Sequence, residues 1–121
     1  NSTKASIRQA ELSRQQAKLE RLQLRESVKS SLANAMTMLN SSHKTVAAAN
    51  QRAKAAENKF NAEIKRYREG RSDTATIIQF EGELQAAKLQ AAMQEVTLRL
   101  AEHQLALARG TLLPAIYEVQ Q

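Results

Sequence analysis

The chain reads as an all-α protein: a long antiparallel two-helix coiled-coil hairpin with unequal arms. Three observations predict it. Ala, Leu, Gln, Glu, Lys and Arg dominate its 121 residues, with only 3 Gly, 1 Pro and 3% aromatics, a composition of long helices. Apolar residues recur at alternating spacings of three and four. One convincing break, Arg66-Tyr67-Arg68-Glu69-Gly70-Arg71-Ser72-Asp73-Thr74-Ala75-Thr76, interrupts about a hundred residues of helical pattern.

The first arm is expected over about residues 7–69. Residues 1–6 offer capping side chains and should fray. No Gly or Pro occurs between Ile7 and Glu69, so one helix is the natural reading. Its first third carries Ile7, Leu12, Leu19, Leu22 and Leu24 irregularly among charges. Then Val28, Leu32, Ala35, Leu39, Ser42, Val46, Ala49, Ala53, Ala56 and Phe60 form a heptad seam, which predicts a left-handed supercoil. Its middle is small enough for a close partner, and it widens to Phe60, Ile64 and Tyr67.

The break supplies a tip turn at 70–75. Gly70 adopts the left-handed conformation that ends a helix, and Asp73 or Thr74 can cap the next. The second arm is expected over about 76–109. Gly110 and Pro114 should end it, leaving an apolar tail at 110–121. The second arm would then be half the length of the first and would pair with its Phe60 end, so that the Leu12–Leu39 end must find partners elsewhere.

The second arm carries two apolar stripes. One is Ile77, Phe80, Leu84, Ala87, Ala91, Gln94, Leu98, Ala101, Leu105, Ala108 and Leu112. The other is Gly82, Ala86, Leu89, Met93, Val96, Leu100, His103 and Leu107. At about 100° per residue their centres lie about 160° apart. A helix of a simple hairpin has one apolar face. Two faces predict a helix sandwiched between neighbours, as in a closed palisade, and self-association.

The residues also resemble a family. Arg66-Tyr67-x-x-Gly70, then a helix with Ile77-Ile78, Leu84 and an Ala/Gln-rich run, is similar to the second half of the TolC-like outer-membrane efflux proteins. There an Arg-Tyr-x-x-Gly turn precedes a helix starting with an Asp-Val-Leu-x-Ala-Gln type of sequence. The match covers residues 7 to 113, and Ala108-Arg109-Gly110 sits where the family has a Gly-containing helix end. Thr76 replaces a common Asp and Phe80 a common Ala, and Gly70-Arg71-Ser72-Asp73-Thr74 points to a subgroup.

The resemblance implies a second-repeat hairpin of a trimeric, periplasmic α-barrel in a Gram-negative outer-membrane protein. One helix of such a pair is about half as long as the other and is continued by a separate helix. The tip, with Arg66, Tyr67, Arg68, Gly70, Arg71, Ser72, Asp73 and Thr74, would close the barrel and dock the periplasmic adaptor of a tripartite pump with its inner-membrane component. The membrane β-strands of the family, and any export signal, would lie outside this segment. Leu32, Leu39, Val46, Ala53 and Phe60 on one arm, with Phe80, Leu84, Leu98 and Leu105 on the other, would hold the packing seam.

Other functions find little support. The net charge of +6 is uneven: residues 1–71 carry 15 Lys and Arg against 6 Asp and Glu, and residues 72–121 carry 3 against 6. Lys18, Arg21, Arg25 and Lys29 share a face that could touch nucleic acid. Glu11, Glu20 and Glu26 are placed to pair with them instead, and no Asn or aromatic reader accompanies them, so a solvated face and no nucleic-acid partner are expected. No cysteine is present, which excludes disulfides. His43 and His103 lack a second ligand on their own helices. Met36 and Met38 are two apart and so occupy different faces. No metal, cofactor or catalytic constellation is expected, and no apolar run reaches the ~20 residues of a membrane span. The rivals are the hairpin of a periplasmic adaptor, which typically carries Arg-x3-Leu-x6-Ser at its tip, and a coiled-coil scaffold or nucleic-acid-binding helix with one apolar face. The adaptor pattern does not occur around Gly70.

Overall fold

A computed structural model describes the backbone of residues 1–120 and the side chains of residues 1–110. Among the described residues the only regular elements are two α-helices, α1 (Ser2–Arg68) and α2 (Thr74–Gln120). They pack against each other as a hairpin. The chain divides into two compact units, residues 37–103 around the tip, and residues 1–36 with 104–121.

In the tip unit the seam lies where the three-four spacing places it. Val46 and Ala49 of α1 are buried, as are Leu84, Leu98 and Ala101 of α2. Leu39, Ser42, Ala53, Ala56, Phe60 and Ile64 are half-buried, as are Ile77, Phe80, Ala87, Ala91 and Gln94. Alternating steps of three and four average close to one helical turn per half-heptad, so these side chains stay on one face. Ala49 is only 2% exposed, because a methyl side chain lets the facing helix come close. Replacing Ala53 or Ala56 with Leu should overpack this seam and cost about 1–3 kcal/mol. Thermal unfolding checks this, and melting unchanged by either substitution would contradict close packing there.

In the other unit Val28 (1% exposed) and Leu105 are buried, while Leu32, Ala35 and Ala108 are half-buried. Every residue from 1 to 27 is exposed. The irregular stripe of Ile7, Leu12, Leu19, Leu22 and Leu24 therefore has no cover among the described residues. The end of α1 that lacks a partner is shorter than expected: the packed seam begins at Val28.

Four element boundaries differ from expectation. Residues 2–6 are helical, not frayed: the Ala5 N–H reaches the Asn1 carbonyl at 3.2 Å and Ser6 Oγ donates to the Ser2 carbonyl at 2.8 Å. At the tip, α1 ends at Arg68 and α2 begins at Thr74, because Asp73 is the residue that caps it. The largest difference is that α2 does not stop at Arg109. It runs through Gly110 and Pro114 to Gln120, so 110–121 is not a separate tail, and the arms of 67 and 47 residues differ by less than twofold. An internal Pro removes one backbone bond and crowds the carbonyl four residues back, at a cost of about 3 kcal/mol. Here that carbonyl belongs to Gly110, and Leu, Ala, Ile, Glu and Gln around Pro114 otherwise favour a helix, so one local penalty does not end it. The seam expected at Leu112 lies outside the described side chains.

Candidate functional site

The tip is built by a helix stop followed at once by a helix start. Gly70 has φ 74°, the left-handed region in which an L side chain is strained. Around it the Arg71 N–H donates to the Arg66 carbonyl at 2.8 Å and the Gly70 N–H to the Tyr67 carbonyl at 3.0 Å. Those two bonds are the six-to-one and five-to-two pair of a Schellman stop. Gly70→Ala keeps the open space around the position but carries the left-handed penalty. It should cost about 1–2 kcal/mol, read as a lowered melting temperature. An unchanged melting temperature would contradict the turn geometry.

Asp73 then starts α2. Its Oδ1 accepts the Thr76 N–H at 2.7 Å, and its own carbonyl accepts the Ile77 N–H at 3.2 Å. Thr74, the alternative cap, is the first residue inside the helix. The bond from the Thr76 backbone, followed by the Thr76 side chain, holds the Asp73 carboxyl below its usual range. On α2, Glu83 is likewise lowered, first by its bond from Lys59 and then by Gln79. A depressed folded value means that the contribution is present above the unfolded value, near ~4, and is lost as pH falls through the folded value. The melting temperature should therefore fall as pH drops below about 4, and Asp73→Asn with Glu83→Gln should flatten that fall. An equally steep acid loss in the double variant would contradict the assignment.

A buried carboxylate ties the turn to the shaft. Glu63 is 7% exposed, accepts the Ser72 hydroxyl at 2.5 Å and lies 3.7 Å from Arg66 Nη1. Arg66 Nη2 also reaches the Arg71 carbonyl at 3.4 Å, and Arg71 pairs with Glu69. A further clasp joins the arms: Lys59 Nζ meets Glu83 at 2.9 Å and sits 4.2 Å above the centre of the Phe80 ring.

The tip residues singled out from the sequence thus divide. Arg66, Arg68, Gly70, Arg71, Asp73 and Thr74 are exposed and Ser72 is half-buried. Tyr67, expected to widen the seam, is 46% exposed, and Glu63 takes the inward place. Continuing the strict alternation from Phe60 would have found it, since the next steps of three and four are Glu63 and Tyr67; choosing apolar Ile64 instead hid it. Ile64 is half-buried beside it.

The second stripe of α2 faces away from the hairpin. Within the tip unit Gly82, Ala86, Leu89, Met93, Val96, Leu100 and His103 are all exposed, with Leu89 at 64% and Val96 at 60%. Arg99, bonded to Glu95 at 3.2 Å and Glu102 at 3.3 Å, supplies a polar flank. α2 therefore carries one apolar face that is covered and one that is not.

The ion pairs expected to neutralise the basic face of α1 form only once. Lys29 meets Glu26 at 3.6 Å. Among the described residues Glu11 and Glu20 have no such partner, because exposed, flexible side chains gain little from a solvated pair. His43 and His103 are both exposed, and among the described residues no group of three acidic, His or Cys side chains is placed to hold a metal. No described helix is long and apolar enough to cross a membrane. No protein-family model, curated protein or solved structure matches the chain.

Proposed function

We propose that this chain is a wall segment of a periplasmic α-barrel in a TolC-like outer-membrane efflux channel, with the 66–74 tip as the surface that docks a periplasmic adaptor. The observation that carries the reading is the uncovered apolar stripe of α2. A free hairpin has no use for a second face of Leu89, Met93, Val96 and Leu100, whereas a helix in a tube has a neighbour on each side. The Arg66-Tyr67-x-x-Gly70 turn, capped by Asp73, supports the family. The role is structural: covered seams lock helices into a tube, and the exposed cationic groups of Arg66, Arg68 and Arg71 at its end meet the adaptor. The adaptor hairpin is the weaker reading, since its tip pattern does not occur around Gly70.

A tube and a simple dimer use the stripe differently. In a ring the contact is heterologous, so the stripe meets a different surface of the next protomer; in a symmetric dimer it meets itself. The chain has no native cysteine, so Met93→Cys provides a clean probe. Under mild oxidation the ring reading predicts an oligomer with no disulfide at position 93. A disulfide-linked dimer as the main product would contradict it, because the bond requires the two Cα atoms within about 7 Å.

A further inference from the structure

The packed seam of α1 begins at Val28, but its spacing continues toward the N-terminus with a different chemistry. Counting back from Val28 by the same alternation of three and four gives Arg25, Arg21, Lys18, Arg14, Glu11, Ile7 and Lys4. The register is unbroken, since α1 is one helix from Ser2. Five of these seven positions are cationic where the following ten are apolar or small. All seven are exposed, and a hollow in this face is lined by Ile7, Ala10, Glu11, Arg14, Gln15 and Lys18. Among the described residues Lys4, Arg14, Lys18 and Arg25 meet no carboxylate, and Arg21 contacts only the Ala17 carbonyl, at 3.4 Å.

We propose that this stretch is a docking surface for a second helix carrying Asp or Glu at heptad spacing, an acidic helix of a partner chain. Two features select that occupant. The cations repeat with the period of a coiled-coil seam and continue the covered seam at Val28 in phase, so a helix laid along them meets each in turn. Their sign demands carboxylates in the partner's facing positions, and in register such pairs fix orientation and exclude wrong partners. Residues 111–121 of this chain do not answer that description, with Glu118 as their single acidic side chain. A bilayer surface fits less well, because Leu12 and Leu19 share only a narrow stripe while Ile7 and Leu24 lie on other sides of the helix, leaving no broad apolar face to insert. The proposal stands on the register of α1 and does not rest on the channel reading.

The test uses the whole chain and a fluorescent synthetic helix of about four heptads, with Glu at the a and d positions and Ala and Gln elsewhere. Its control has the same composition with Glu scattered over all faces. Fluorescence anisotropy at about 150 mM salt should show the in-register peptide binding at least tenfold more tightly than the control. Lys18→Glu with Arg25→Glu should remove that preference while leaving the melting temperature unchanged, as both residues are exposed. Equal binding of the two peptides, or an unchanged preference in the charge-reversal variant, would overturn the proposal. Tighter binding of a short DNA duplex or of phosphatidylglycerol vesicles than of the in-register peptide would overturn it as well.

Discussion

Replacing Met93 and Leu100 together with Asp should abolish self-association while leaving the hairpin folded. Both side chains are exposed, at 54% and 57%, and lie seven residues apart on the outer face of α2. Surface substitutions of this kind usually change stability by less than about 0.5 kcal/mol. In an assembly the exposed half of each side chain would be covered, which contributes about 0.8–1.7 kcal/mol apiece. Losing both weakens association by on the order of tenfold to a few hundredfold, before the added cost of burying two carboxylates. Sedimentation at a series of concentrations reads the loss, and circular dichroism reads the fold. A double variant that associates as the parent does would show that the stripe is no interface.

Ser72→Ala should destabilise the hairpin by about 1.5–3 kcal/mol, the range for a hydrogen bond to a charged group. The expectation is large for a turn residue because the partner is buried. Glu63 loses its shortest contact and keeps only Arg66, at 3.7 Å. Water cannot easily replace the hydroxyl at a side chain only 9% exposed. Glu63→Gln separates charge from packing: the amide retains the shape and can still bond Ser72, so its cost should be smaller than that of Ser72→Ala. Chemical denaturation of the two variants gives the comparison. A Ser72→Ala variant as stable as the parent would mean that the carboxylate is already satisfied by solvent.

Much of the hairpin was legible in the sequence because a coiled-coil seam is a strict spacing rule. From Val28 to Phe60 and from Ile77 to Ala108 every seam position is covered to some degree. Gly70 and Asp73 were legible for a different reason, since few residues can end and restart a helix within so short a stretch. The end of α2 was not, because Pro114 imposes a local penalty whose outcome depends on the residues around it. Glu63 was missed by reading the seam as a run of apolar residues where the spacing alone led to it. The pairing of Glu11 and Glu20 with nearby cations was inferred from spacing, yet proximity on an exposed helix does not fix flexible side chains.

Of the two apolar stripes of α2, the one with Phe80, Leu84, Leu98 and Leu105 was expected to hold the packing seam, although both are continuous and similar in character. The Ile77–Ala108 stripe faces inward, beside the Phe80–Lys59–Glu83 clasp. That leaves the Leu89–Leu100 stripe outward, where a neighbouring helix of a tube would cover it. Light scattering coupled to size-exclusion chromatography, at low and at high salt, tests it most directly. A tube wall built on that stripe should give an oligomer of the 13.5 kDa chain whose mass is the same at both salts, because apolar contacts are not screened. A monomer at both salts, or an oligomer that dissolves as salt rises, would contradict it.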